Sequence, residues 1–293
     1  MSEFIDYINI KKHDISNLPA GVSISTMCAS GKLGTKLFND NIAKYIELDP
    51  DDIITVKESD EKVRTLRTKI KKKTKKKKAA VKKTKPKEKS FYNQVTVEIR
   101  ATEGKYTSLD DEDIINVKLF KNGSIQMSGC KKMESINAVL NKLVNKLRVV
   151  KAKIEEKKIV EKHFVEDPDK LGIYNFKIDM INSNYAVNMT INREKLYDIL
   201  LDKKIRCRYE PCIHACVTVK YIPPEDNPEE KVISIFVFEK GSIIITGAKK
   251  KSHIISSFEY VNKIIKENSQ QIEKKDLDTI IMNSEFKDLL DAK

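Results

Sequence analysis

Apolar residues recur at helical spacing in two places along the chain. Ile136, Val139, Leu140, Leu143, Leu147 and Val150 form one stripe, and Ile254, Ile255, Phe258, Val261 and Ile265 form another, as expected of helices that each bury one face. Each stripe follows the same local pattern: an apolar strand, a Gly turn and a second strand ending in Ser/Thr-Gly, at residues 120–131 (FKNGSIQMSGCK) and 238–249 (FEKGSIIITGAK). Val95-Thr96-Val97 and Val217-Thr218-Val219 precede the two hairpins at similar distances. Further upstream, a strand over residues 22–29 and a helix over 38–46 mirror a strand over 176–187 and a helix over 192–201. The pattern predicts one unit written twice, in the order strand, helix, several strands, helix.

The second copy carries an additional signal. A sheet covered by helices on one side normally alternates to polar residues on the other. Residues 233–238 and 243–245 are apolar on both parities, which predicts either an apolar interaction face or a strand covered on both sides, for example by the C-terminal extension.

Composition narrows the class. With 293 residues, 40% hydrophobic and 34% charged, the chain can bury one pseudo-symmetric core or two small ones. The N-terminus has no secretory pattern and no apolar run approaches the ~18 residues a membrane span needs, so an intracellular, non-secreted protein is expected. The five cysteines, Cys28, Cys130, Cys207, Cys212 and Cys216, lack CxxC spacing and read as reduced thiols. Cys212, His214 and Cys216 alternate along a strand, but plain strand residues are favoured over a metal site. No HExxH, GxGxxG or nucleophile elbow occurs, and residues 30–36 (SGKLGTK) lack phosphate-loop spacing, so neither catalysis nor a cofactor is expected.

The net charge of +13 resides almost entirely in residues 69–89, which include Lys71, Lys72, Lys73, Lys75, Lys76, Lys77, Lys78, Lys82 and Lys83. Such a run predicts a self-repelling loop. It would lend salt-sensitive, sequence-independent affinity for nucleic acid, or serve as a localisation signal.

At this level of detail the duplicated order, the Ser/Thr-Gly-x-Lys strand ends, Phe176-Lys177-Ile178, Tyr209-Glu210-Pro211 and Phe258-Glu259 resemble the core domain of the TATA-box-binding protein family, strongly in the second repeat and moderately in the first. The resemblance implies an α+β saddle: two pseudo-symmetric repeats forming a curved antiparallel sheet with helices on the convex side. The expected layout is an N-terminal extension over 1–20, a first repeat over 21–158 with a Lys-rich insertion at about 60–90, a linker over 159–175, a second repeat over 176–268 and a helical extension over 269–293. The family sits in the DNA minor groove, where an apolar sheet with wedge side chains kinks the duplex.

Carried over position by position, the resemblance puts the wedges on Tyr92, Phe120, His214 and Phe238. It puts DNA contacts on Val22, Ile24, Gln126, Ser128, Met180, Asn182, Ile244 and Thr246, with Lys131 and Lys249 against phosphates. From the residues alone, Phe120 and Phe238 fit sheet core equally well, His214 fits a solvated loop, and the two lysines fit helix caps. The family's central asparagine pair falls on Val22 and Met180, a departure that relaxes the expected sequence choice. Glu210, Cys212 and Ile213 occupy the segment that meets transcription factor B-like proteins.

The implied function is a transcription initiation factor acting as a monomer on double-stranded, A/T-rich DNA, with a factor B-like protein and RNA polymerase as partners and no membrane. Richness in lysine, isoleucine and asparagine, with the large insertion, suggests a large DNA virus, hence the nucleus, or a viral factory or virion in the host cytoplasm. A non-bending interaction scaffold and a lysine-driven DNA packager are the alternatives.

Overall fold

In a computed structural model the described residues are 4–59, 62–67, 93–102, 113–155, 158–224 and 232–274. Along the chain they form β1 (Ser23–Lys32), α1 (Asn39–Tyr45), β2 (Ile53–Lys57), β3 (Val63–Thr65), β4 (Gln94–Arg100), β5 (Ile114–Phe120), β6 (Ser124–Cys130), α2 (Met133–Arg148), β7 (Lys151–Glu155) and β8 (Lys158–Lys162). There follow β9 (Tyr174–Ala186), α3 (Arg193–Asp202), β10 (Cys207–Arg208), β11 (Cys216–Tyr221), β12 (Ile233–Phe238), β13 (Ser242–Ala248), α4 (Lys251–Glu267) and α5 (Ser269–Ile272). Two compact units share them: residues 1–14 with 26–179, and residues 15–25 with 180–293. Both are α+β with antiparallel strands.

The first unit orders its strands β1-β6-β5-β4-β2-β3. Strict alternation in β5 buries Ile115, Val117 and Leu119, and α2, which packs on β4 and β6, covers that side with Ile136, Val139, Leu140, Leu143, Val144 and Leu147. Burying one such side chain is worth about 1.5–3 kcal/mol, so these two apolar patterns hold the layer together. Val150, expected to extend the stripe, lies beyond the helix and is 42% exposed.

The second unit orders its strands β9-β13-β12-β11-β10. Ile233, Ile235 and Val237 on β12 and Ile243 and Ile245 on β13 are buried, beneath α4 and its Ile254, Val261, Ile264 and Ile265. The side chain of Asn192 caps α3 by accepting from the Lys195 amide, which satisfies one of the otherwise unpaired amides of the first turn. By order and pairing, β1, α1, β2, β4, β5, β6 and α2 correspond to β9, α3, β10, β11, β12, β13 and α4. Strand β3 and the hairpin β7–β8 have no counterpart among the described residues. The hairpin's strands bury none of their described side chains, so no core-facing pattern announced it.

The tight turns Gly123 and Gly241 fix the register in each unit. Their φ angles are +79° and +76°. The amides of Leu33 and Val187 donate to the two glycine carbonyls at 2.8 and 2.9 Å, and a Cβ would collide with the backbone oxygen of Thr35 or Val187. Gly241→Ala is therefore expected to lower stability by about 1–3 kcal/mol, measured as a fall in the urea midpoint with an unchanged m-value.

Candidate nucleic-acid interface

In each unit, the side chains that do not face the helices form a second surface. In the second unit this surface carries Phe236 and Phe238 from β12 and Ile244 and Thr246 from β13, all half-buried, with Phe236 directly opposite Ile244. Beside them Thr218 of β11 faces Phe236, and Asn182 and Asn184 of β9 face Thr246 and Ile244. The expectation that the second face is apolar thus holds for a patch of two phenylalanines and an isoleucine, ringed by hydroxyls and amides. Phe236 was not singled out from the sequence. Its place in the alternation Ile235, Phe236, Val237 is the signal that marks it.

The two asparagines are held by hydroxyls. Asn182 Oδ1 accepts from Thr246 Oγ1, and Asn184 Oδ1 accepts from Ser23 Oγ at 2.8 Å. Each amide NH2 is thereby left as a donor. Thr246 also lies 3.7 Å from the Met180 sulfur, which places Met180, Asn182 and Thr246 in one group.

The corresponding surface of the first unit is polar. Phe120 is retained and half-buried, but Lys118 stands where the second unit has Phe236, and Gln126 where it has Ile244, the first pair being cross-strand partners as the second are. Toward the β3 edge, Arg67 pairs with Glu98 at 3.2 Å and the hydroxyls of Thr55 and Thr65 meet at 2.9 Å. An apolar reading applies to one unit only.

Register changes which residues of β1 and β9 correspond. Cys28 lies opposite Ser128, and Asn182 lies opposite Thr246, each next to an irregularity at Gly129 or Gly247. The hydrogen bonds Leu37 N–H to Lys121 O and Ile191 N–H to Glu239 O match in the same way. Thr26, not Val22, is therefore the counterpart of Met180, and Cys28 that of Asn182. Val22 lies before β1 in a turn closed onto Pro19 O at 3.0 Å, while Ile24 is half-buried within β1. The sequence did carry a signal, since Thr26 stands as far before α1 as Met180 stands before α3.

The remaining candidates divide by location. Lys131 and Lys249 are exposed just ahead of α2 and α4, and the Lys249 amide donates to His253 Nδ1 at 3.3 Å. Cys212, Ile213 and His214 are exposed in the loop between β10 and β11, Ile213 at 67%. The amides of Ile213 and His214 both donate to Glu210 O, and the hydrogen bond from Arg208 holds the Glu210 carboxyl below the usual range. Tyr92 and the lysines from Lys71 to Lys83 lie outside the described residues. Burial raises the thiols of Cys207 and Cys216, and no group of three metal-binding side chains occurs among the described residues. No described helix is long and apolar enough to cross a membrane.

Residues 175–268 match the model of the family described as transcription factor TFIID, or TATA-binding protein, TBP. The second unit carries a TATA-binding protein family domain. A TATA-box-binding protein-like protein of Acanthamoeba polyphaga mimivirus is 40% identical over 257 residues, covering 83% of this chain and 65% of the relative. The chain thus spans less than two thirds of that relative's length. TATA box-binding protein-like 2 of Mus musculus is 26% identical over 115 residues, 38% of this chain and 30% of that one. Methanococcus jannaschii TBP aligns with a TM-score of 0.46 at 15% identity, covering 84% of this chain and 98% of that one. The TBP-family match includes the Phe236, Phe238, Ile244, Thr246 and Asn182 cluster in full. Thr246→Val keeps the shape of the side chain but removes the donor to Asn182, and is expected to cost about 0.5–1.5 kcal/mol, read by urea unfolding.

Proposed function

We propose that this chain is a TBP-like transcription initiation factor that binds the minor groove of double-stranded DNA and bends it. The observation that carries the reading is the second unit's surface, where an apolar cluster of Phe236, Phe238 and Ile244 adjoins the amides of Asn182 and Asn184. Minor grooves present acceptors at every A·T pair and add the guanine amino group at G·C pairs. Amide donors next to an apolar surface suit the first and are obstructed by the second. Phenylalanines at a strand end can insert between base steps and unstack them, which kinks the duplex toward the major groove.

The remaining roles follow from that placement. Phe120 and Phe238 act as wedges, together with Tyr92 and with His214 from the loop before β11. Gln126, Ser128, Thr246, Ile244, Met180 and Asn182 meet the groove floor and walls, and Lys131 and Lys249 meet phosphates. Thr26 and Cys28 take the places assigned from sequence to Val22 and Ile24. The lysine run contributes counterion-release affinity. A factor B-like protein that recruits RNA polymerase docks at the loop carrying Glu210, Cys212 and Ile213. The mimivirus relative supports a viral, intracellular setting.

A second reading rests on the first unit, where Lys118 and Gln126 replace Phe236 and Ile244 and the Arg67–Glu98 pair adds charge to the same surface. In that reading the chain is a protein-interaction scaffold that does not bend DNA. Fluorescence-transfer bending assays on A/T-rich and G/C-rich duplexes, with protein lacking residues 69–89 at near-physiological salt, separate the two. The proposal expects bending that favours A/T-rich DNA and is abolished by combining Phe120→Ala with Phe238→Ala. It is overturned if the intact chain binds and the double variant bends DNA equally. Restoring residues 69–89 should steepen the salt dependence by about 0.9 in log K per log salt for each phosphate neutralised.

A further inference from the structure

The loop over residues 209–215 is an exposed connection, yet it is tied to the body of the second unit by one side chain. Arg193, in the first turn of α3, donates through Nη1 to Ala215 O at 2.8 Å and through Nη2 to Glu239 Oε2 at 2.6 Å. Its guanidinium lies 5.7 Å from the centre of the Tyr209 ring. A single planar group therefore touches both ends of the loop and the turn after β12. Tyr209 also meets Tyr197 of α3, with ring centres 5.9 Å apart.

Glu239, which completes this clamp, has a second cation. Lys274 Nζ donates to Glu239 Oε1 at 2.8 Å, and this bond, with the Lys274 charge and then that of Arg193, holds the Glu239 carboxyl below the usual glutamate range. Lys274 is delivered there by backbone pairing: its amide donates to Thr190 O at 2.8 Å, the Asn192 amide donates to Ile272 O at 2.7 Å, and Ile191 bridges Glu273. The chain at the end of α5 is thus paired, through a single bridge, with the residues that lead into α3. The carboxylate of Glu239 joins that segment to the arginine that grips the loop.

We propose that Arg193 is a positioning residue for the loop over residues 209–215, and that the segment 272–274 reinforces it through Glu239, so that loosening this segment loosens the loop. Arginine is suited to the task because its rigid fork makes two directional hydrogen bonds while its face stacks on an aromatic ring. Lysine, a point charge, can keep the pairing with Glu239 but cannot also hold Ala215 O and Tyr209. The functional meaning of the clamp rests on the proposed partner-docking role of this loop. What it presents is chemically plain: Ile213, Cys212 and His214, with no described apolar cover.

The test is residue-resolved hydrogen exchange on the full chain, comparing the amides of Ile213 and His214 with those of α4. Arg193→Ala is expected to speed exchange at the loop by about tenfold or more while α4 and the thermal midpoint stay near those of the parent. Arg193→Lys should recover only part of that protection, and Lys274→Ala should give an intermediate rise. Equal loop exchange in parent and Arg193→Ala overturns the proposal, as does full recovery in Arg193→Lys, which would reduce the clamp to a charge pair. Capture of a purified transcription factor B-like protein by the same variants is read separately. If the loop loosens but capture is unchanged, the clamp stands and the docking role of the loop falls.

Discussion

The pairing register between the first strand of each repeat and the last strand of its hairpin determines everything placed on the surface away from the helices. A slip of one residue would exchange the buried and outward sets of a strand entirely. Here Gly123 and Gly241 prevent the slip, because each turn packs so closely on the chain leaving β1 or β9 that no side chain fits between them. With that register held, alternation sends Ile235, Val237, Ile243 and Ile245 to α4 and leaves Phe236, Phe238, Ile244 and Thr246 on the other side. The proposed interface is therefore the remainder left by core formation, with chemistry set by every second residue.

The same constraint acts in both units, yet the outcomes differ. The cores are alike, since β5 and β12 bury Ile115, Val117 and Leu119 or Ile233, Ile235 and Val237. The outward sets are not: Lys118 and Gln126 replace Phe236 and Ile244. Burial conserves apolar character on one parity regardless of function, whereas the outward parity is free to diverge. The first unit has used that freedom, and it adds β3 and, just beyond that strand, the pairing of Arg67 with Glu98 of β4. On the proposed function, the two units would grip DNA by different physical means, one by apolar contact and the other by hydrogen bonds and charge.

Much of this was legible in the sequence because periodicity reports burial directly. The stripes of α2 and α4 and the strand–turn–strand pattern around Gly123 and Gly241 follow from local rules. The hairpin β7–β8 was not legible, since Lys and Glu dominate both strands and Ile154 and Ile159 are outward and 78% and 76% exposed. The correspondence of Val22 with Met180 was also misread. Local similarity around a strand start cannot fix a register that is set by the hydrogen bonds of Leu33, Leu37, Val187 and Ile191 to distant turns. Arg193 carried no signal at all, because its partners Ala215, Tyr209 and Glu239 are assembled only by the fold.

The central claim, that the outward face reads DNA from the minor groove, is tested most directly by equilibrium binding to three duplexes of matched length: an A/T-rich site, the same site with I·C pairs and the same site with G·C pairs. Inosine lacks the amino group that guanine places in the minor groove, so an I·C pair offers an A·T-like minor groove and a G·C-like major groove. The account predicts that the I·C duplex binds as the A/T-rich one does and that the G·C duplex binds more weakly. An I·C duplex that binds as weakly as the G·C duplex would contradict it.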